Sequence, residues 1–322
     1  MQNLIVSSAP HIHCKDSIKK VMWSVVFALI PAGIAAFIFF GIQVLKIILV
    51  SVVFALIFEF LIQKIRKQEV TIFDGSAAVT GILLAYNLPP TVPLWLPIVG
   101  VFVAIIFGKQ IFGGLGSNVF NPALVGRAFL VISWPKLMTT WAAPFTKSVD
   151  AISSATPLAI SKGLVVVDKY FSLTDLFFGK YPGCLGETSV LALLLGACFL
   201  LYKKYISWHT PLSYILSLGL LTWFFGRNAL SGDFFYNIFA GGLMLGALFM
   251  ATDMTTTPLS NKGKIIFGLG CGCITALIRL KGGYPEGVSF SILLMNAFTP
   301  LIDKITLGNR QYFAKKKCLK KV

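Results

Sequence analysis

Acidic residues are scarce in this chain: 12 Asp and Glu stand against 28 Lys and Arg over 322 residues, and charged side chains make up only 12%. A soluble domain carries about a quarter. Histidine is scarcer still. His11, His13 and His209 have no metal-ligand spacing. The six cysteines are Cys14, Cys184, Cys198, Cys271, Cys273 and Cys318. None falls in a Cys-x-x-Cys, a haem-attachment motif or an iron–sulfur run. Cys271 and Cys273 lie in a Gly-rich apolar stretch, where small residues serve close helix packing. These absences exclude a structural zinc, a covalent haem and a cluster-binding domain.

What the chain has is apolar surface. It is 56% hydrophobic, with a mean hydropathy of +0.82. Only lipid can solvate that much apolar surface, so the expected fold is an all-α integral membrane protein. The net charge of +16 would suggest nucleic acid in a soluble protein. Here the basic residues sit between apolar runs, where they orient a membrane protein, and no nucleic-acid binding is expected. The first 20 residues are polar and mixed. The apolar run after them is too long for a signal sequence and lacks an Ala-x-Ala exit, so it reads as a retained span.

A span takes about 20 apolar residues. Runs at 21–41, 43–63, 74–90, 94–108 and 117–134, then 188–202, 209–226, 235–252, 264–280 and 286–303, predict about ten. They divide the chain into a five-helix repeat at 1–134, an extracytoplasmic loop at 135–187, and a second five-helix repeat with a basic tail at 188–322. Ten spans put both termini on one side. With that side cytoplasmic, Lys15, Lys19, Lys20, the Lys64–Lys67 cluster, Lys109, Lys203, Lys204, Lys262, Lys264, Lys304, Arg310 and the tail lysines fall inside.

Five spans per half is odd, so any repeat is inverted. Gly81–Leu94 can be laid on Gly246–Leu259 without gaps, matching one Gly, one Pro, one Thr and two Leu. These are the third spans of the two halves, and both are short or broken. Such segments point to a site near the midplane. Asp74 opens the first and Asp253 closes the second. Each is either an ion-path residue or a helix cap facing water. Glu59, Lys109 and Arg127 are further ionisable groups at span edges. Gly113, Gly114 and Gly116 form a bend that either presents backbone amides to a ligand or is a plain loop. The segment Asp150-Ala151-Ile152-Ser153-Ser154-Ala155-Thr156-Pro157 is, by its residue types alone, an ordinary small-residue turn. On these features a secondary transporter or channel, a scaffold and a redox subunit are all open.

Several motifs together separate them. Asp74-Gly75-Ser76-Ala77, Gly81 to Pro90, Phe112 to Gly116, Asn118-Val119-Phe120-Asn121-Pro122-Ala123, Met138-Thr139-Thr140-Trp141, Ala251-Thr252-Asp253 and Asn296 to Asp303 resemble the NqrB/RnfD family, and within it the RnfD branch. Ser8-Ala9-Pro10-His11 stands where the family more often has Ser-Pro-His, and Asp253-Met254 where it often has Asp-Pro. The long N-terminal extension associated with NqrB is not seen.

The resemblance implies a membrane subunit of the Rnf ion-translocating ferredoxin:NAD oxidoreductase in a bacterial inner membrane, with electron transfer coupled to Na⁺ or H⁺ movement. In this family a threonine in an Asp-x-x-Ser-(Gly/Ser)-Ala-Thr pattern carries FMN through a phosphoester. Asp150, Ser153, Ser154, Ala155 and Thr156 fill that pattern, so Thr156 is the implied attachment point. A non-covalent riboflavin is implied as well, with Gly113, Gly114 and Gly116 as candidate neighbours. The implied partners are RnfG, RnfC, RnfA, RnfE and RnfB, a flavin transferase using FAD and Mg²⁺, and membrane lipid.

Overall fold

The computed structural model describes residues 17–145, 156–162, 171–226, 233–283 and 286–319, with side chains to residue 307. Asp150, Ser153, Ser154, Ala155, Ser8–His11, Lys320 and Lys321 lie outside the described residues. Every regular element among those described is helical.

Among the described residues four helices are long and apolar enough to cross a membrane: α1 (Ile18–Phe40), α2 (Ile42–Ile65), α13 (Asn261–Lys281) and the stretch Val288–Leu307 of α14 (Val288–Leu319). Ser17 caps α1 by accepting from the Lys20 amide. Gly41, at φ 74°, turns the chain straight into α2. Large side chains such as Phe27, Ile34 and Ile38 face outward from α1, while Ala28, Ala32 and Ala36 are buried. A helix that shows its bulky residues outward and its small ones inward is built for a lipid solvent. At Gly196 a Cβ would meet the backbone carbonyl of Ala28, which lets α1 and α9 (Val190–Tyr202) pack closely.

The remaining apolar elements are shorter. They are α3 (Ser76–Tyr86), α4 (Trp95–Ile105) continued by a π turn at Ile106–Gln110, α5 (Pro122–Ser133), α9 and α10 (His209–Phe225). Short helices α6 (Pro135–Met138), α7 (Pro157–Ser161), α8 (Leu173–Phe178) and α11 (Phe234–Phe239) flank them. The third segment of each half is cut short, as the Gly and Pro punctuation predicts. In the first, α3 ends at Tyr86 after eleven residues. In the second, a break at residues 240–242 precedes α12 (Leu243–Leu245) and a π turn at Gly246–Met250.

The two cut ends meet. Asn87, just past α3, donates to Leu83 O at 2.6 Å and to Met250 Sδ at 3.6 Å. Asn121, which caps α5, donates to Met250 O at 3.2 Å. In the amide orientation that satisfies both groups, Asn296 accepts from the Asn121 amide at 3.1 Å. Asn118-Val119-Phe120-Asn121-Pro122, leading into α5, and Asn296-Ala297-Phe298-Thr299-Pro300, within α14, share an Asn-x-Phe-x-Pro pattern. This second internal match escaped the reading of the sequence. It gathers at the centre, where an inverted repeat puts its site.

Contacts define two ends. At one, Arg66 donates to Gln110 O and Ser260 donates to Thr306 at 2.7 Å. This end carries Lys64, Lys67, Lys203, Lys204, Lys262 and Lys264 and is the basic end. At the other, Phe145 N reaches Phe39 O and Leu185 N reaches Leu88 O. Lys162 donates there to Ile278 O and Gly282 O. This is the loop end.

Candidate functional sites at the two ends

Thr156 lies at the loop end. Its backbone is extended, and its Oγ1 accepts from the Ala159 amide at 3.2 Å to cap α7. The Pro157 ring suits the first helical position, so a Thr-Pro pair starts a helix here with the hydroxyl turned back on it. The side chain is only 5% exposed. A narrow crevice, too tight for a water molecule, joins Thr156 to Tyr181, Gly183, Glu187, Gly241 and Glu286.

Glu187 and Glu286, on the wall of that crevice, belong to a charged cluster that extends behind it. Arg127, from α5, donates to Asn87 Oδ1 and to Glu286 Oε2. Glu187, just before α9, accepts from the Cys184 amide at 3.0 Å, while its Oε2 is buried without a partner. Tyr181 donates to Glu187 O at 2.8 Å. Arg279 of α13 is bonded to the carbonyls of Asn237 and Ala240. Burial pushes the Glu187 carboxyl up to about 7; Glu286 adds to this and Arg127 opposes it. Burial and neighbouring Glu187 also hold the Cys184 thiol and the Tyr181 hydroxyl protonated.

The second site is at the basic end. A cleft with about 780 Å³ of empty space, part of it open to the exterior, runs between the halves. Its apolar walls include Val25, Leu83 and Phe249; its polar groups include Lys109, Asn118, Asn121, Thr252 and Asp253. Lys109 Nζ lies 2.6 Å from both Glu59 Oε1 and Ser76 Oγ. Gln110 and Gln63 also donate to Glu59 Oε1, at 3.0 and 3.3 Å. Asn118 donates to Phe120 O, but its side-chain oxygen is buried without a partner.

The structure therefore brings some sequence candidates together and separates others. Asp253 lines the basic-end cleft and accepts from Thr255 and Thr256 at 3.0 and 3.2 Å. Asp74 Oδ1 accepts from the Ser76 amide and hydroxyl, at 2.7 and 2.6 Å, so it caps α3 and reaches the cleft only through Ser76. Gly113, Gly114 and Gly116 do form a tight bend, with φ of 113°, 98° and 97°. Of the 113–116 run, Leu115 is the residue that lines the cleft. Reasoning from the sequence missed Glu187 and Glu286 as a pair, because their separation along the chain hides their approach. It also left Asn118 and Asn121 as motif letters without a role.

Comparison with known proteins gives these sites a family context. Residues 5–311 match the family described as NQR2, RnfD, RnfE. The chain is 48% identical over 314 residues to the D subunit of the proton-translocating ferredoxin:NAD(+) oxidoreductase complex of Clostridium ljungdahlii, covering 94% of each. It is 46% identical over 306 residues to the D subunit of the Na(+)-translocating ferredoxin:NAD(+) oxidoreductase complex of Acetobacterium woodii, again covering 94% of each. It is 38% identical over 341 aligned positions to the D subunit of the ion-translocating oxidoreductase complex of Actinobacillus succinogenes, covering 94% of this chain and 96% of the relative. A multi-pass, all-helical chain that matches the family over almost its whole length belongs to it: this is a member of the NQR2, RnfD, RnfE family.

Proposed function

We propose that this chain is the D subunit of an ion-translocating ferredoxin:NAD⁺ oxidoreductase complex, that it carries FMN on Thr156, and that it passes electrons through the membrane beside its redox partner subunits. Similarity along 94% of the chain to subunits of that name is the observation that carries the reading. Those relatives are named for H⁺ in one case and Na⁺ in the other, and the same apolar helical body suits either cation.

The Thr156 hydroxyl suits a phosphoester, and the tight crevice beside it has to open to seat the flavin ring. The hydroxyl oxygen sits on a loop crevice, not in a helix interior, and the next residue starts a helix whose amide points back at that oxygen. A phosphoester there puts its negative charge next to an N–H donor. When bound, a flavin supplies one- and two-electron chemistry and so links single-electron carriers to hydride chemistry. Asp150, Ser153, Ser154 and Ala155 complete the motif read by the transferase.

A second, non-covalent flavin such as riboflavin fits the basic-end cleft better than the glycine bend. The unpartnered Asn118 oxygen and the Asn121 side chain offer amide groups to a ring with both donors and acceptors. The walls of Val25, Leu83 and Phe249 match its apolar faces. In this reading the chain has ten spans, as an inverted pair of five-span units at 1–134 and 188–322 around the loop at 135–187, with the basic end in the cytoplasm of a bacterial inner membrane; the tendency of short basic loops to be retained there supports it. Thr156 then faces outward. The two flavins mark the ends of an electron path across the bilayer.

A denaturing gel tests this reading. Co-expressed with its flavin transferase, the chain gives a band fluorescent under ultraviolet light, and Thr156→Ala abolishes it. A dark wild-type band with the transferase present would return the transporter or scaffold readings.

A further inference from the structure

At the loop end two carboxylates share one cation. Glu187 and Glu286 come from different loops, before α9 and before α14, and both approach Arg127 of α5. The guanidinium bonds Glu286 and Asn87, and Cys184 Sγ lies 3.9 Å from Arg127 Nη2. The Cys184, Glu187 and Glu286 ligand atoms all fall within 4.8 Å of one another. That spacing would suit a metal ion, but Arg127 already supplies the positive charge there.

The groups facing Glu187 are few. From its own loop they are Cys184 and Tyr181, both kept neutral by burial. From α5 there is Arg127, from the α14 loop Glu286, and from α13 Arg279, whose guanidinium is directed to backbone carbonyls. Arg127 is the cation bonded within this group, and Arg279 adds a second positive charge that is spent in hydrogen bonds on carbonyls and donates nothing to the carboxylates. Glu187 Oε2 is left buried, with no donor among the described residues, and packed on the Gly242 backbone. A buried carboxylate oxygen without donors is costly, and a proton removes the cost.

We propose that Glu187 and Glu286 together hold one exchangeable proton beside Arg127, and that this proton compensates the charge arriving at the flavin on Thr156. The second half rests on the Thr156 reading. The geometry supports the link, because Thr156, Glu187 and Glu286 line one crevice. Glu286 is 18% exposed and opens the pair to water on the same face. Each electron delivered by the partner redox subunit adds one negative charge beside the pair. The pair answers by taking up as much as one proton from that water, forming one carboxyl O–H bond, and releases it when the electron leaves. No proton crosses the membrane in this step.

Infrared difference spectroscopy on the purified complex tests both halves. In the wild type a protonated-carboxyl band should titrate near pH 7, the value to which Glu187 is raised. Glu187→Gln should remove it. Glu286→Gln, which leaves Glu187 alone with Arg127, should move the titration to lower pH and keep the fold. On chemical reduction at constant pH the wild-type band should grow. In Thr156→Val the pH titration should persist while the reduction-linked growth disappears. A band unchanged in Glu187→Gln overturns the proton assignment. A band that ignores reduction in a flavin-loaded sample overturns the coupling. If Thr156 carries no flavin, the pH-titrating band still appears, so failure of that reading is told apart from failure of the pair.

Discussion

The ammonium of Lys109 lies 2.6 Å from Glu59 Oε1, with 2% and 0% of the two side chains exposed. Fifty positions separate them in the chain, and the π turn that ends α4 turns Lys109 toward α2. A charge inside an apolar helical body is tolerated when paired and hydrogen-bonded; here Gln63 and Gln110 add donors to Glu59 Oε1 and Ser76 accepts from Lys109, while Glu59 Oε2 has no donor among the described residues. The pair fixes one wall of the basic-end cleft.

Removing one partner strands the other. Lys109→Met should destabilise the detergent-solubilised subunit by about 3–5 kcal/mol, the range for breaking a buried pair. The double variant Glu59→Leu/Lys109→Met should recover most of that loss, because neither charge is then left alone. Thermal unfolding of the three proteins checks this. Equal loss in the single and double variants would show that the pair is not an energetic unit.

The location of these groups shows what the sequence makes readable. Spans such as α1, α2, α13 and α14 follow from the length of their apolar runs, which no packing detail alters. The shortened α3 is followed by Pro89-Pro90, and the break at 240–242 falls on Gly241-Gly242, so both are signalled by local Gly and Pro. The pairing of Arg127 with Glu286 is different. It depends on how loops from the second half fold over a helix of the first, and no local pattern encodes an approach across 159 residues. At Thr156 the residue type and its neighbours are legible only through the family motif. That the hydroxyl caps a helix beside Glu187 and Glu286 emerges only from the fold.

That cap has a consequence for maturation. Thr156 is 5% exposed and its hydroxyl oxygen is already engaged, so a transferase cannot reach it while α7 is docked. Modification should precede docking. Folded, unmodified subunit incubated with transferase, FAD and Mg²⁺ should gain flavin slowly. Replacing Leu158, which is buried against the Gly241 turn, with Ser should loosen the segment and speed the reaction several-fold. Equal rates for the two proteins, followed by in-gel fluorescence, would show that the segment is open in the native state.

Sidedness follows from the two ends. In a background lacking the native cysteines, a cysteine at Phe145, exposed at the loop end, should react with an impermeant thiol reagent in intact cells. A cysteine at Lys203, at the basic end, should react only after lysis. The reverse pattern would invert the topology and place Thr156 in the cytoplasm.

A flavin held outside on Thr156, with the electron path leading inward, is read out by peptide mass mapping of the complex purified with its transferase. The peptide containing Thr156 should carry one FMN by a phosphoester, and Thr156→Ala should yield only the unmodified peptide. An unmodified Thr156 peptide in fully active complex, or FMN on another residue, would contradict it.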